Sequence, residues 1–291
     1  MDWRLLAGYA VVVLVVGLLL SRRRAGAERA VDKAANAAGL GVTPEIRPLL
    51  LRRIRIMRVG DLIGAAVGLA LAALLVTLRT EIPVQTWAVQ GTIVAGGAAG
   101  GLIGGLVATH GLPAPGRRVA RDRAVRVADY ISPIERAGAL IGMLLTALFG
   151  VLSLTLGSAD ARVAVATGVA VAGWLGFELV ARLLIARPQS ADSALQLAWD
   201  DALRADSVRR LAGASGAVSL LSLLTATWFE THALLPADEA DGVVLAILVG
   251  VVAVLVVLRL SPVRTGLGRY FRDRLWPDTV AYTPPVEVAA P

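Results

Sequence analysis

The chain has no cysteine. That excludes disulfides, thiolate metal ligands and a cysteine nucleophile, and it leaves the redox compartment open. Histidine is nearly absent as well. His110 and His232 are the only two and stand far apart, so no histidine-based metal centre is expected. Lysine is reduced to Lys33, and the other 28 of the 29 basic residues are arginine. With so much Ala, Val and Gly, that bias points to a GC-rich bacterial genome. Charge of any sign is scarce, at 18% of residues against about 25% in soluble domains.

Motifs that carry chemistry are missing too. The glycines lack the lysine of a phosphate-cradling loop, there is no HExxH, and no apolar block holds paired carboxylates. Neither histidine falls in a serine-bearing block where it could serve as a base. No enzyme activity, metal or cofactor is expected.

What is present is apolar. Hydrophobic residues make up 56% of the chain and mean hydropathy is +0.70. They fall in long runs, the mark of a polytopic membrane protein. Seven blocks are long enough to cross: 5–20, 62–78, 87–109, 137–156, 163–185, 211–229 and 242–258. In lipid each must be helical, because nothing else satisfies its backbone polar groups. The expected fold is an all-α bundle of about seven transmembrane helices with amphipathic cytoplasmic helices. It forms one domain over 1–276 with a disordered tail over 277–291. The cluster Arg22-Arg23-Arg24 follows the first block instead of preceding it, so that block does not read as a cleavable signal.

Charge sets the orientation. The segments after the first, third, fifth and seventh blocks hold 25 of the 29 basic residues. The N-terminus and the opposite loops hold only Arg4, Arg79 and Arg162. Positive charge stays inside. The reading is a multi-pass protein of the cell membrane with its N-terminus outside and its C-terminus cytoplasmic.

The third block carries two glycine tracks. Gly96, Gly100 and Gly104 repeat every four residues, as do Gly97, Gly101 and Gly105. On a helix they make a strip of bare backbone. Such glycine-zipper spacing lets helices approach closely in lipid, where packing replaces hydrophobic drive. Six glycines would cost a helix in water roughly 5 kcal/mol against alanine, so this helix is expected in the middle of the bundle.

The inner segments look amphipathic. Over Pro44–Val59, Ile46, Leu50, Ile54 and Met57 share a face and Arg52, Arg55 and Arg58 lie away from it. Arg117–Ile131 repeats the design, with Arg117, Arg118, Arg121 and Arg126 around an apolar stripe. Such helices suit a bilayer with anionic headgroups. No nucleic-acid motif accompanies the charge. Ser190–Arg210 is charge-balanced, with Asp200–Arg204 and Asp206–Arg210 at i,i+4 spacing. It is expected to pack under its own bundle or to dock a cytoplasmic or membrane protein partner. Near the end, Arg269, Tyr270, Phe271, Arg272, Arg274 and Trp276 read as an interfacial anchor.

A short repeat heads the three blocks that enter from inside. Arg58 and Gly64, Arg136 and Gly142, and Arg210 and Gly216 keep one spacing. That suggests three hairpins of common ancestry.

Polar residues concentrate in the third to sixth blocks. Ser215, Ser219 and Ser222 share a face of the sixth. Thr167, Trp174, Glu178 and Arg182 share a face of the fifth. Glu178 is the one carboxylate well inside a block, and buried ionisable groups in lipid are functional candidates by default. A local pair with Arg182 is its plainest role. The last outer loop collects Glu230, Asp238, Glu239 and Asp241 near His232 and reads as a solvated acidic loop. The leading functional expectation is a transport-related protein, a small permease or the membrane subunit of a transport complex. The alternative is a non-transporting scaffold or regulator that binds anionic lipid or a cytoplasmic partner.

Overall fold

A computed structural model describes residues 24–76, 93, 95–105, 107, 124–155, 161–187, 189, 191, 193–236, 240, 242 and 270–276. The first block, all but Gly242 of the seventh, Arg117, Arg118, Arg121, Asp238, Glu239, Asp241 and the tail lie outside the described residues. Regular structure among the described residues is helical: α1 (Arg24–Ala38), α2 (Arg47–Val76), α3 (Val127–Tyr130), α4 (Pro133–Thr155), α5 (Ala161–Ala186) and α6 (Ala194–Leu234). Residues 95–105 form a further helical run, called here the glycine run. Three helices are long and apolar enough to cross a membrane: Pro133–Thr155, Ala161–Ala186 and Ala194–Ala233. The described residues thus supply three such helices rather than seven.

These three helices pack as a bundle. Glu135 meets Arg209, Thr146 meets Ser219 and Ser153 meets Glu230, so α4 and α6 run parallel. Gly173 faces Val218 and Arg162 lies over Phe229, so α5 runs antiparallel to α6. Burial in this bundle is inverted relative to a protein in water. Helix α4 buries Ala139, Thr146, Gly150 and Ser153. Its large side chains Ile141, Leu144, Leu148 and Leu152 are exposed. Leu175, Leu179 and Leu183 are exposed along α5. An apolar belt of this extent marks a membrane or partner surface.

Local signals explain the ends. Helix α1 stops at Gly39, whose φ of 66° suits a residue without Cβ, and Gly39 N–H donates to Ala35 O at 2.7 Å. Helix α4 opens with a capping box. Glu135 N–H donates to Ser132 Oγ at 3.2 Å and Ser132 N–H to a Glu135 carboxylate oxygen at 3.3 Å, with Pro133 in the first turn. Ser193 caps α6 by accepting from Gln196 N–H at 3.2 Å.

Two expectations about the inner segments need correction. Pro44–Val59 is not a separate interfacial helix. From Arg47 it continues without a break into the second apolar block as α2. Leu50, Ile54 and Met57 are buried, so its apolar face packs on protein and is not free for lipid; Arg52, Arg55 and Arg58 are exposed as expected. Likewise Ser190–Arg210 and the sixth block are one helix of 41 residues, about 60 Å long. Of Arg117–Ile131, residues 117–123 lie outside the described residues; 124–126 are not helical and Val127–Tyr130 forms a turn of helix.

The glycine run packs on α2 in antiparallel fashion. A Cβ on Gly60 would collide with the carbonyl of Gly100, and one on Gly64 with the carbonyl of Gly96. A Cβ on Gly104 would lie 2.7 Å from the Ile56 carbonyl oxygen. The second track faces α2 side chains: Gly97 lies near Ala65, Gly101 near the Asp61 carboxylate and Gly105 near Met57. Sequence reading marked one side of this contact and missed Gly60, Gly64 and Gly68 as its counterpart. On the other side of the run Ile103 and Val107 are exposed, so it is not enclosed as a central helix would be.

Candidate functional site

Two groups of polar side chains stand out. The first runs through the α4–α5–α6 bundle. At the arginine-rich end, here called the basic end, Glu178 on α5 is buried. It accepts from Arg136 of α4, with Nε at 2.8 Å and Nη2 at 2.7 Å. Arg182 reaches the same carboxylate only at 3.4 Å, with 71% of its side chain exposed. The main partner of Glu178 is therefore Arg136 on the neighbouring helix, and Arg182 is secondary. Spacing within one block cannot reveal an ion pair between blocks.

Midway along the bundle, Thr146 donates to Gly142 O at 2.9 Å and to Ser219 O at 3.0 Å. Ser215, Ser219 and Ser222 are all buried. The Oγ atoms of Ser215 and Ser219, and Thr167 Oγ1, have no hydrogen-bond partner among the described residues. Thr167 sits against Gly150, where a Cβ would collide with its hydroxyl. Trp174 is buried against Phe177 with ring centroids 5.3 Å apart. At the far end Ser153 donates to Glu230 at 2.8 Å, and Glu230 is buried. Glu230 thus belongs to the bundle, not to a solvated acidic loop. His232 stacks on Trp228 with centroids 3.9 Å apart.

These groups form a polar seam. From Arg136 to Ser153, α4 rises about 26 Å, close to the ~30 Å of a hydrocarbon core. A carboxylate sits at each end and small hydroxyls lie between.

The second group surrounds the inner half of α6. Arg53 of α2 is buried and pairs with Asp200, also buried. Asp201 is fully buried and accepts from Tyr130 OH, Gln189 Nε2 and Trp276 Nε1, each at 2.8 Å. Trp199 Nε1 donates to Gly41 O at 2.9 Å. Arg209 pairs with Glu135 at 2.7 Å, and Arg210 with Asp61 at 2.8 Å and Asp206 at 2.7 Å. Asp206–Arg210 is thus the expected i,i+4 pair. Asp200–Arg204 is not, because Asp200 turns to Arg53 while Arg204 donates to the carbonyls of Ile185 and Arg187. Burial raises the Asp61 carboxyl above its ordinary value, and the Arg210 charge pulls against it.

Residues 270–276 join this group. Phe271 is buried, Arg272 donates to Gly39 O at 3.0 Å and Trp276 reaches Asp201. The expected aromatic anchor is folded onto the protein. Sequence reading also missed Arg53 and α1. Alanines at 27, 30, 34, 35 and 38 with Val31 form the buried or half-buried face of α1, and hydropathy weighs alanine too lightly to flag them.

No cluster of three potential metal ligands occurs among the described residues. Comparison with known proteins finds no matching family model, curated protein or solved structure.

Proposed function

We propose that this chain is a transport-related, multi-pass membrane protein, either a small permease or the membrane subunit of a transport complex. The observation that carries the reading is the seam of buried polar groups along α4 and α6, with Glu178 at one end and Glu230 at the other. The inverted burial of α4 supports the bilayer as its solvent. In this reading all seven apolar blocks cross a bacterial plasma membrane. The basic end is cytoplasmic, and the glycine tracks act as a zipper between the second and third spans. Glu178 would be the group that changes partner during a cycle, between Arg136 and Arg182.

Affinity purification in mild detergent followed by mass spectrometry tests the proposal, together with ion flux in proteoliposomes. A stoichiometric transport ATPase or transporter subunit supports it, as does a flux abolished by Glu178→Gln. A chain that purifies alone and carries no flux overturns it. Orientation is read with single cysteines, freely placed because the native chain has none. Cysteine at Ala159 should label from outside with an impermeant reagent, and cysteine at Ala194 should not.

A second reading has its own support. The basic end has a substantial core, in which α1, α2, α3 and the N-terminal half of α6 pack together with the neighbouring ends of α4 and α5. A unit of that kind suits a scaffold or regulator that engages a cytoplasmic partner. The same purification would then return a soluble regulatory protein in place of a transport subunit.

A further inference from the structure

At the basic end a cavity of about 280 Å³ opens between α1, α2, α6 and residues 270–275. Its floor is apolar, formed among others by Ala34, Ile54, Met57, Trp199 and Phe271. Its charged wall is uneven. Arg210 is neutralised by Asp61 and Asp206, and Arg209 by Glu135. Two more cations stand in the wall without a salt bridge of their own, Arg58 acting on Asp61 only at longer range. Arg58 is exposed and donates to the carbonyl of Gly26 at 3.1 Å, not to a carboxylate. Lys33 is exposed, and no hydrogen bond or ion pair ties it to another described residue.

The depth of the cavity is informative. Arg58 and Asp61 lie within one turn of Leu62, where the second apolar block begins. In a bilayer that is the level of the headgroups, where anionic lipid attracts Lys and Arg. An apolar floor below these two cations suits an amphiphilic anion. The volume falls just below the range of pockets that enclose a drug-sized ligand, about 300–1,000 Å³. It takes a headgroup and not a whole two-chain lipid.

We propose that this cavity binds the phosphate headgroup of an anionic phospholipid between Lys33 and Arg58. Binding there would tie α1 to α2 and α6 and make the packing of the basic end depend on lipid composition. The inference rests on bilayer embedding and not on what the bundle carries.

The test uses the full chain, delipidated in mild detergent. Phosphatidylglycerol should raise the thermal midpoint and phosphatidylcholine should not. With each cation worth about 1 kcal/mol, the double variant Lys33→Gln, Arg58→Gln should need roughly thirtyfold more phosphatidylglycerol for the same shift. Arg52→Gln, Arg55→Gln removes two exposed arginines that do not line the cavity and should leave the response unchanged. Lys33 is the only lysine, so acylation at that position, mapped by mass spectrometry, reports the site in the native chain. Phosphatidylglycerol should slow it. Equal responses to the two lipids, equal loss in the Arg52, Arg55 control, or unprotected Lys33 would overturn the proposal. A full effect from glycerol 3-phosphate would assign the site to a soluble phosphate instead of lipid and overturn it as well. If the double variant does not fold, acylation of the wild type still decides. Failure of the embedding itself reads differently: the chain would leave the membrane in alkaline carbonate without detergent.

Discussion

The two halves of α6 make the most instructive comparison. Its inner half, up to Arg210, is held by charge. Asp200, Asp201, Arg209 and Arg210 reach α2, α3, α4 and the segments around Gln189 and Trp276. Its outer half is held by shape. Gly216 lies against Ala139, and Ser219 against Gly142 and Thr146. One helix thus uses two kinds of contact. At the basic end, ion pairs and hydrogen bonds to buried carboxylates are directional and specify which helices meet. Along the apolar half, small side chains let the helices approach closely, a packing suited to an apolar medium.

The largest effect should come from breaking the inner half. Arg53→Met leaves Asp200 buried without its partner and should cost about 3–5 kcal/mol. Adding Asp200→Leu should recover most of that loss, because a buried pair replaced by apolar groups is close to neutral. Denaturation in detergent followed by circular dichroism measures both. No recovery in the double variant would mean that the pair is not the local determinant.

Bulk should be the corresponding weakness where helices meet through glycine. Gly100→Leu must force α2 and the glycine run apart, with an expected loss of about 3 kcal/mol. Gly176→Leu, at an exposed glycine with open space around it, should cost less than about 1 kcal/mol. Thermal midpoints in one detergent compare them, and equal tolerance would remove the backbone contact from the account.

Glu178 lies where the two regimes meet. A double-mutant cycle on thermal stability should show coupling of about 1–3 kcal/mol with Arg136 and of about 0.5 kcal/mol or less with Arg182. The ranking follows from geometry, since Arg136 is nearer and less exposed. The reverse ranking would restore the local pair. The smallest effect should be at Ser219, whose buried Oγ has no partner among the described residues. Ser219→Ala should change stability by no more than about 0.6 kcal/mol. A larger loss would place a bound water on that hydroxyl.

Much of this was legible in particular residues. The apolar runs over 137–156, 163–185 and 211–229 fall within α4, α5 and α6, apart from the last residue of the first. Ser215, Ser219 and Ser222 share a face by spacing, and all three are buried. The repeated Arg and Gly have structural sense in the second and third copies. Arg136 and Arg210 each reach a carboxylate, and Gly142 and Gly216 each sit at a helix contact. Ser132-Pro133-Ile134-Glu135 was equally readable as a helix start and was passed over. The pairings Arg53–Asp200 and Arg136–Glu178 were not readable at all.

By itself the sequence determined the material of each helix: its length, its periodicity and which of its residues are small, apolar or charged. Those properties depend on neighbours one turn away. Only the tertiary structure decided which of 28 arginines meets which carboxylate. It also decided that α2 and α6 continue unbroken from the basic end into their apolar blocks, and that the aromatic segment near Trp276 folds back onto Asp201. Partner choice between distant helices is set by their register and approach, and no local pattern records either.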